Sequence, residues 1–294
     1  MKIALAYISV ILIWSTTPLA IKWSGEGPGF IFGAAARMTI GAGCIWLFLL
    51  LFGKAVPWHR KALQTYLAVA IQIYGAMMAV YWSAQFIPSG WLSVIFGLSP
   101  FVTALIAAIW LKERSLTISK LCSYILGLSG LAVIFNSALQ LNFNAAQGII
   151  GVLTAVFLQS ASAVWIKKIK AGVGGINQVA GGLLFALPAY VITWYFTEGG
   201  LWPEQLSNRN MYAIIYLGAI ATTFGFSLYY YILLHLSATS VAMLTLVSPV
   251  FALLIGHTIN HEPWSLKINL GTALILTALL LHEFFDRYIL KVIK

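Results

Sequence analysis

The sequence predicts an all-α membrane protein with ten transmembrane helices arranged as two inverted five-helix repeats. Three features predict it. Hydrophobic residues fill 61% of the 294 positions and charged ones only 8%, with a mean hydropathy of +0.92. An ordinary soluble domain carries about 25% charged residues, so lipid must be the solvent for most of this chain. The apolar runs are about 20 residues long, the length that crosses the hydrocarbon at 1.5 Å per residue. Finally, a Ser-Pro pair inside an apolar run occurs twice, in "GLSPFVTALIAAIWLKER" from Gly97 and "LVSPVFALLIGHTINHEP" from Leu246, with the prolines 149 residues apart.

Taken in order, the first span is 3–22. It has the charge-then-apolar start of a secretory signal, but its length, Pro18 and the lack of a small-residue cleavage site mark it as a retained span. The second, 30–52, holds Arg37, the one charged side chain well inside a span. The third, 64–86, holds Gln72, Tyr74 and Tyr81. The fourth, 90–112, contains Ser99-Pro100, and the fifth is 118–136. After the uncharged stretch "NSALQLNFNAA" come a sixth span at 147–167 with Gln159-Ser160 and a seventh at 176–197 with Pro188. The eighth, 210–235, holds Tyr230; the ninth, 239–260, holds Ser248-Pro249; the tenth is 266–290. Short gaps rich in Gly, Pro, Asn and Ser read as turns.

Orientation follows from positive charge, which concentrates in cytoplasmic loops. With the N-terminus inside, 13 of the 17 Lys and Arg residues fall on the cytoplasmic side, and Lys22, Arg209 and Lys267 fall outside. Both termini are then cytoplasmic, with Asn142 and Glu204 external. The net charge of +10 is spread over these loops, not gathered on a face, so nucleic acid is not an expected partner. Cys44 and Cys122, both in apolar runs, suggest neither a disulfide framework nor a metal site.

The Ser-Pro spans are the fourth and the ninth, so the copies are offset by five helices. "TPLAIKW" after Trp14-Ser15 is echoed by "SAVWIKK" after Gln159-Ser160, and Tyr81 by Tyr230, again 149 residues on. An offset of five reverses the direction of the second copy. The halves, 1–139 and 140–294, are then inverted repeats of the kind common in secondary transporters. Each proline lies roughly 15 Å along its span, near the midplane. Without an N–H, Pro100 and Pro249 free the carbonyls of Phe96 and Thr245, Pro18 that of Trp14, and Pro188 that of Leu184. Freed carbonyls are tolerated where they line a polar cavity, which makes these four prolines candidate hinge or gating positions.

Candidate lining residues are Trp14, Ser15, Arg37, Gln72, Tyr74, Tyr81, Ser99, Gln159, Ser160, Tyr230 and Ser248. Flat rings with scattered hydrogen-bonding groups suit a neutral or zwitterionic solute, and a buried membrane charge such as Arg37 is a functional candidate by default. Glu113 and Glu262 close their spans and read as topology markers or loop anchors. No Asp, Glu or His falls near the midplane, so facilitated diffusion or solute exchange is expected, without a midplane carboxylate carrying protons. His257 would be the exception if its helix ran deeper.

Ten helices in two halves, with "SPFVTALIAAIWLKER" and "SPVFALLIGHTINHEP" closing the fourth and ninth, resemble the drug/metabolite transporter (DMT) superfamily, specifically its EamA-type ten-helix transporters. "ALAYISVILIWSTTPLAIKW" looks like that family's first helix, and Arg37 in "GAAARMTIGA" matches its usual second-helix arginine. "TINHEP" departs from the family's aliphatic-Gly-Glu ending. The resemblance implies a secondary transporter of small metabolites in the bacterial cytoplasmic (inner) membrane, with export of amino acids or related solutes by alternating access. An uptake permease of the same fold, and a non-transporting membrane scaffold, remain the alternatives. The related compact multidrug exporters carry a first-helix glutamate that this chain lacks. No GxxxxGK, HExxH, CxxC or Ser-His-Asp arrangement occurs, so no enzyme, cofactor or metal is expected. The partners expected are a small-molecule substrate and membrane lipids, with the chain acting as a monomer or a homodimer.

Overall fold

The computed structural model describes residues 2–112, 118–141 and 143–292. Glu113 and Asn142, used above as end and topology markers, lie outside the described residues. The chain is all-α, with no strand among the described residues. Seven of its described helical runs are long and apolar enough to cross a membrane, and Cys122–Ser137 and Leu266–Leu281 are shorter apolar helices.

Helices α1 (Lys2–Gly25) and α2 (Phe30–Leu51) come first. The next run is α3 (Arg60–Ala70), a wide-turned π segment at Ile71–Ala76, and α4 (Met77–Ser83). His59 caps its start by accepting from the Ala62 N–H, which satisfies one of the unpaired donors every helix start leaves. Helices α5 (Ser89–Phe96) and α6 (Ser99–Trp110) follow, then α7 (Ile118–Leu141). The second part of the chain opens with α8 (Phe143–Ile169) and α9 (Gly175–Glu198). It continues through α10 (Asn208–Tyr216), a second π segment at Leu217–Phe226, and α11 (Ser227–His235). Last come α12 (Ala238–Ala242), a 3-10 turn at Met243–Leu246, α13 (Ser248–Asn260) and α14 (Leu266–Val292).

Two stretches differ from expectation. Residues 136–146 were expected as a loop, but α7 runs to Leu141 and α8 starts at Phe143. The stretch has no Gly or Pro to stop a helix, and its Ala, Leu and Gln favour one. The Ser-Pro spans are not single kinked helices either. Each is broken just before its Ser-Pro pair, and Pro100 and Pro249 sit in the first turn of α6 and α13. A first-turn proline costs little, because the N–H it lacks would have no helical partner there.

Helix α1 is the hub, packing on α13, α10, α11 and α2; α5 crosses α13, α6 crosses α8, and α3 lies on α9. Helices α7 and α14 pack mainly on each other. Glycines set the closest crossings, as small residues do where helices cannot rely on hydrophobic exclusion. A Cβ on Gly41 of α2 would stand 2.5 Å from Thr222 Cγ2, and one on Gly218 2.7 Å from Ile40 Cβ. The outer surface is apolar: Leu5, Leu12, Leu50 and Phe196 are all more than half exposed, a lipid-facing coat. Trp58, Trp110, Trp202 and Trp264 are exposed near helix ends, where amphipathic rings suit the membrane interface.

Candidate functional site

The breaks before the two Ser-Pro pairs open the interior. A central cavity of ≈ 80 Å³, partly open, is lined on one side by Trp14, Thr17, Pro18 and Ile21 of α1 and by Arg37 of α2. Met77 and Val80 of α4, Leu92, Ser93 and Phe96 of α5, and Gln159 of α8 add further wall, and Phe226, Thr245 and Ser248 close it from the second part of the chain. Phe96 and Thr245, four residues before the two prolines, both stand at the wall, but because each proline sits in a helix first turn the expected release of their carbonyls does not occur. Pro100 and Pro249 are buried but do not line it.

Arg37 is the group with the strongest chemical character. It is 1% exposed. Its Nε donates to Thr222 Oγ1 at 2.9 Å, its Cζ lies 5.8 Å from the Phe226 ring centre, and its Nη1 is buried without a hydrogen-bond partner. The close crossing at Gly41 and Gly218 is what brings α2 and the second π segment within reach of that bond.

Trp14, Arg37, Gln159, Ser248 and Pro18 thus line the cavity, and the other sequence candidates are distributed around it. Gln72 and Tyr230 form a layer behind Gln159: the Tyr230 hydroxyl donates to Gln72 Oε1 at 2.6 Å, and Gln72 Nε2 lies 3.5 Å from Gln159 Oε1. Ser15 bonds back to the Ile11 carbonyl at 2.7 Å, and Ser160 Oγ accepts from Thr103 at 2.9 Å. Ser99 is buried with an unpartnered hydroxyl. Tyr74 bonds Thr193 of α9 at 2.6 Å, and the Tyr81 hydroxyl accepts from Ser24 at 3.4 Å. Pro188 is exposed on α9, away from the cavity.

Sequence reasoning missed Thr222, Phe226 and Ser93. The adjacent Thr222-Thr223 in an otherwise apolar run was the available signal for the first. Shifting the first π segment by 149 residues carries it to 220–225, inside the second. Wide π turns often occur at functional sites, and no residue pattern announced these.

At the far end of α1 lies a polar cluster. Glu262 is 7% exposed, accepts from Asn260 Nδ2 at 3.0 Å and sits 3.8 Å from Lys22 Nζ. His257, exposed in the last turn of α13, holds the Glu262 carbonyl through Nδ1 at 3.0 Å. It stays at the helix end. Among the described residues no group of His, Cys, Asp and Glu could hold a metal ion.

The model of the EamA-like transporter family matches residues 1–136 and 146–282. The protein named "Uncharacterized transporter YoaV" of Bacillus subtilis (strain 168) is 26% identical across 96% of this chain and 97% of its own length. "Protein PagO" of Salmonella typhimurium is 23% identical, over 94% and 92%. A protein of Streptantibioticus cattleyicolor named "Probable terminal-alkyne amino-acid exporter" is 23% identical, over 85% and 82%. One solved crystal structure is similar with a TM-score of 0.73 at 18% identity, over 98% of this chain and 99% of that one; this likeness speaks for the fold alone.

Proposed function

The chain belongs to the EamA-like transporter family of the drug/metabolite transporter superfamily, and from that premise we propose that it is a secondary transporter of small metabolites that works by alternating access. Its substrates are amino acids or related neutral or zwitterionic solutes, and its physiological direction is export. The observation that carries this reading is the central cavity. Its wall mixes aromatic and aliphatic surface with Arg37, Gln159, Ser93, Thr245 and Ser248, as a solute site requires. A purely structural interior would have no use for a guanidinium left without a partner at Nη1 and without a counter-ion there. The separate family matches to 1–136 and 146–282, and the two π segments in register, support a division into two five-helix inverted halves between α7 and α8. We place the protein in a bacterial cytoplasmic membrane with both termini inside.

With no carboxylate in the cavity wall and His257 at a helix end, transport proceeds without stoichiometric proton coupling. Purified protein in liposomes, offered a panel of labelled amino acids and related metabolites, should equilibrate at least one of them at equal pH on both sides. An imposed pH gradient should not drive its accumulation beyond equilibrium. Failure to move any member of the panel would sink the transporter reading, and accumulation driven by the gradient would sink the uncoupled mechanism.

A further inference from the structure

We propose that the central cavity binds carboxylate-bearing solutes with an apolar or aromatic body, that Arg37 Nη1 receives the carboxylate, and that an amino group is not required. The proposal rests on the transporter reading only for the purpose of the bound solute, and it deepens that reading by naming the group recognised.

Arg37 carries a full positive charge in a nearly dry position. Its Nε is fixed by Thr222, which orients the guanidinium plane, yet Thr222 is a neutral acceptor and leaves the charge uncompensated. The ion pairs of the described residues outside this site, Lys22–Glu262 and Arg209–Glu26, do not involve it. No Asp or Glu is among the residues lining the cavity. A buried charge without a counter-ion is unfavourable in a low-dielectric interior. Nη1 is buried, belongs to a cavity-lining residue and has no partner. A guanidinium presents its N–H groups in a planar fork that matches a carboxylate, so a solute carboxylate supplies the missing partner and the missing charge together.

The rest of the wall fits the rest of such a molecule. Trp14, Met77, Leu92, Phe96 and Phe226 offer flat and flexible apolar surface for a hydrocarbon body. An ammonium finds only neutral acceptors such as Gln159 there, and on its own it would add a second positive charge beside Arg37.

Thermal unfolding of the full-length protein in detergent tests this with three probes that share one skeleton. These are 3-phenylpropionate (no amine), phenylalanine, and 2-phenylethylamine (no carboxylate). Both carboxylates should raise Tm, and the amine should leave it unchanged. Arg37→Gln should weaken 3-phenylpropionate binding by about tenfold or more, the size of a lost charge-assisted bond. Thr222→Val, which frees the guanidinium but keeps its charge, should weaken it less. Stabilisation by the amine equal to that by the acids, no stabilisation by either acid, or unchanged binding in a folded Arg37→Gln protein each overturns the proposal. If Arg37→Gln does not fold, the comparison of probes on the unaltered protein still decides. Failure of the transporter reading looks different: the acids bind, and liposomes move nothing.

Discussion

Glu262, in the turn after α13, caps the start of α5, 173 residues earlier in the chain: its carboxylate accepts from Ser89 N–H and Ser89 Oγ at 3.0 Å and from Gly90 N–H at 3.3 Å. A helix start presents unpaired N–H groups and a partial positive charge, and a buried carboxylate satisfies both. Lys22 joins from the end of α1, donating to the Ile87 carbonyl at 3.3 Å. Trp23 Nε1 donates to Asn260 Oδ1 at 2.9 Å. Three segments distant in sequence are thereby fastened at one end of the cavity. The loop-anchor reading of Glu262 has its physical basis here.

Glu262→Gln should therefore destabilise the protein by about 2 kcal/mol, since the amide leaves a donor facing donors and removes the charge. Thermal unfolding measures it. Glu26 makes an ion pair with Arg209 at 2.9 Å, with both side chains substantially exposed. Glu26→Gln should cost no more than about 0.5 kcal/mol. Equal effects from the two substitutions would show that the buried cap contributes nothing special.

Gly41→Ala should separate α2 from the second π segment, because the added Cβ would stand 2.5 Å from Thr222 Cγ2 and 2.9 Å from its Cβ. Overpacking of this kind costs about 1–3 kcal/mol, and it should also loosen the Arg37–Thr222 bond. Gly43→Ala lies on the same helix with nothing within 4 Å of the new Cβ, and should be stable and fully active. A Gly41→Ala protein with the melting temperature and transport rate of the Gly43→Ala protein would contradict the close crossing.

Replacing both Pro100 and Pro249 with Ala restores an N–H to the first turns of α6 and α13 and removes the ring that bars the helix from running on across each break. The breaks beside the cavity should tighten, and transport in liposomes should fall while the amount of folded protein stays near that of the unaltered chain. Full transport by the double variant would assign the prolines to packing alone.

Much of this was legible in the sequence, for a reason rooted in the solvent. In lipid every backbone group must be satisfied inside the protein, so an apolar run of about 20 residues is almost a statement of helix. Composition alone therefore determined an all-α membrane protein, whereas the Ser-Pro pairs, read as lying within continuous spans, proved to stand where helices restart. Trp14, Gln159, Ser248 and Arg37 were legible as candidates because polar or aromatic groups deep in apolar runs are conspicuous.

What the sequence could not determine is which of those groups face one another. Helix crossings are set by complementary packing of surfaces far apart in the chain, and no local pattern encodes the partner. Only the tertiary structure decided that Gly41 meets Thr222, so that Arg37 is tethered at Nε and buried without a partner at Nη1. It also turned Ser15 and Ser160 to other partners and put Gln72 and Tyr230 behind Gln159. The residue types at the site come from composition; the direction each one points comes from the crossing of helices.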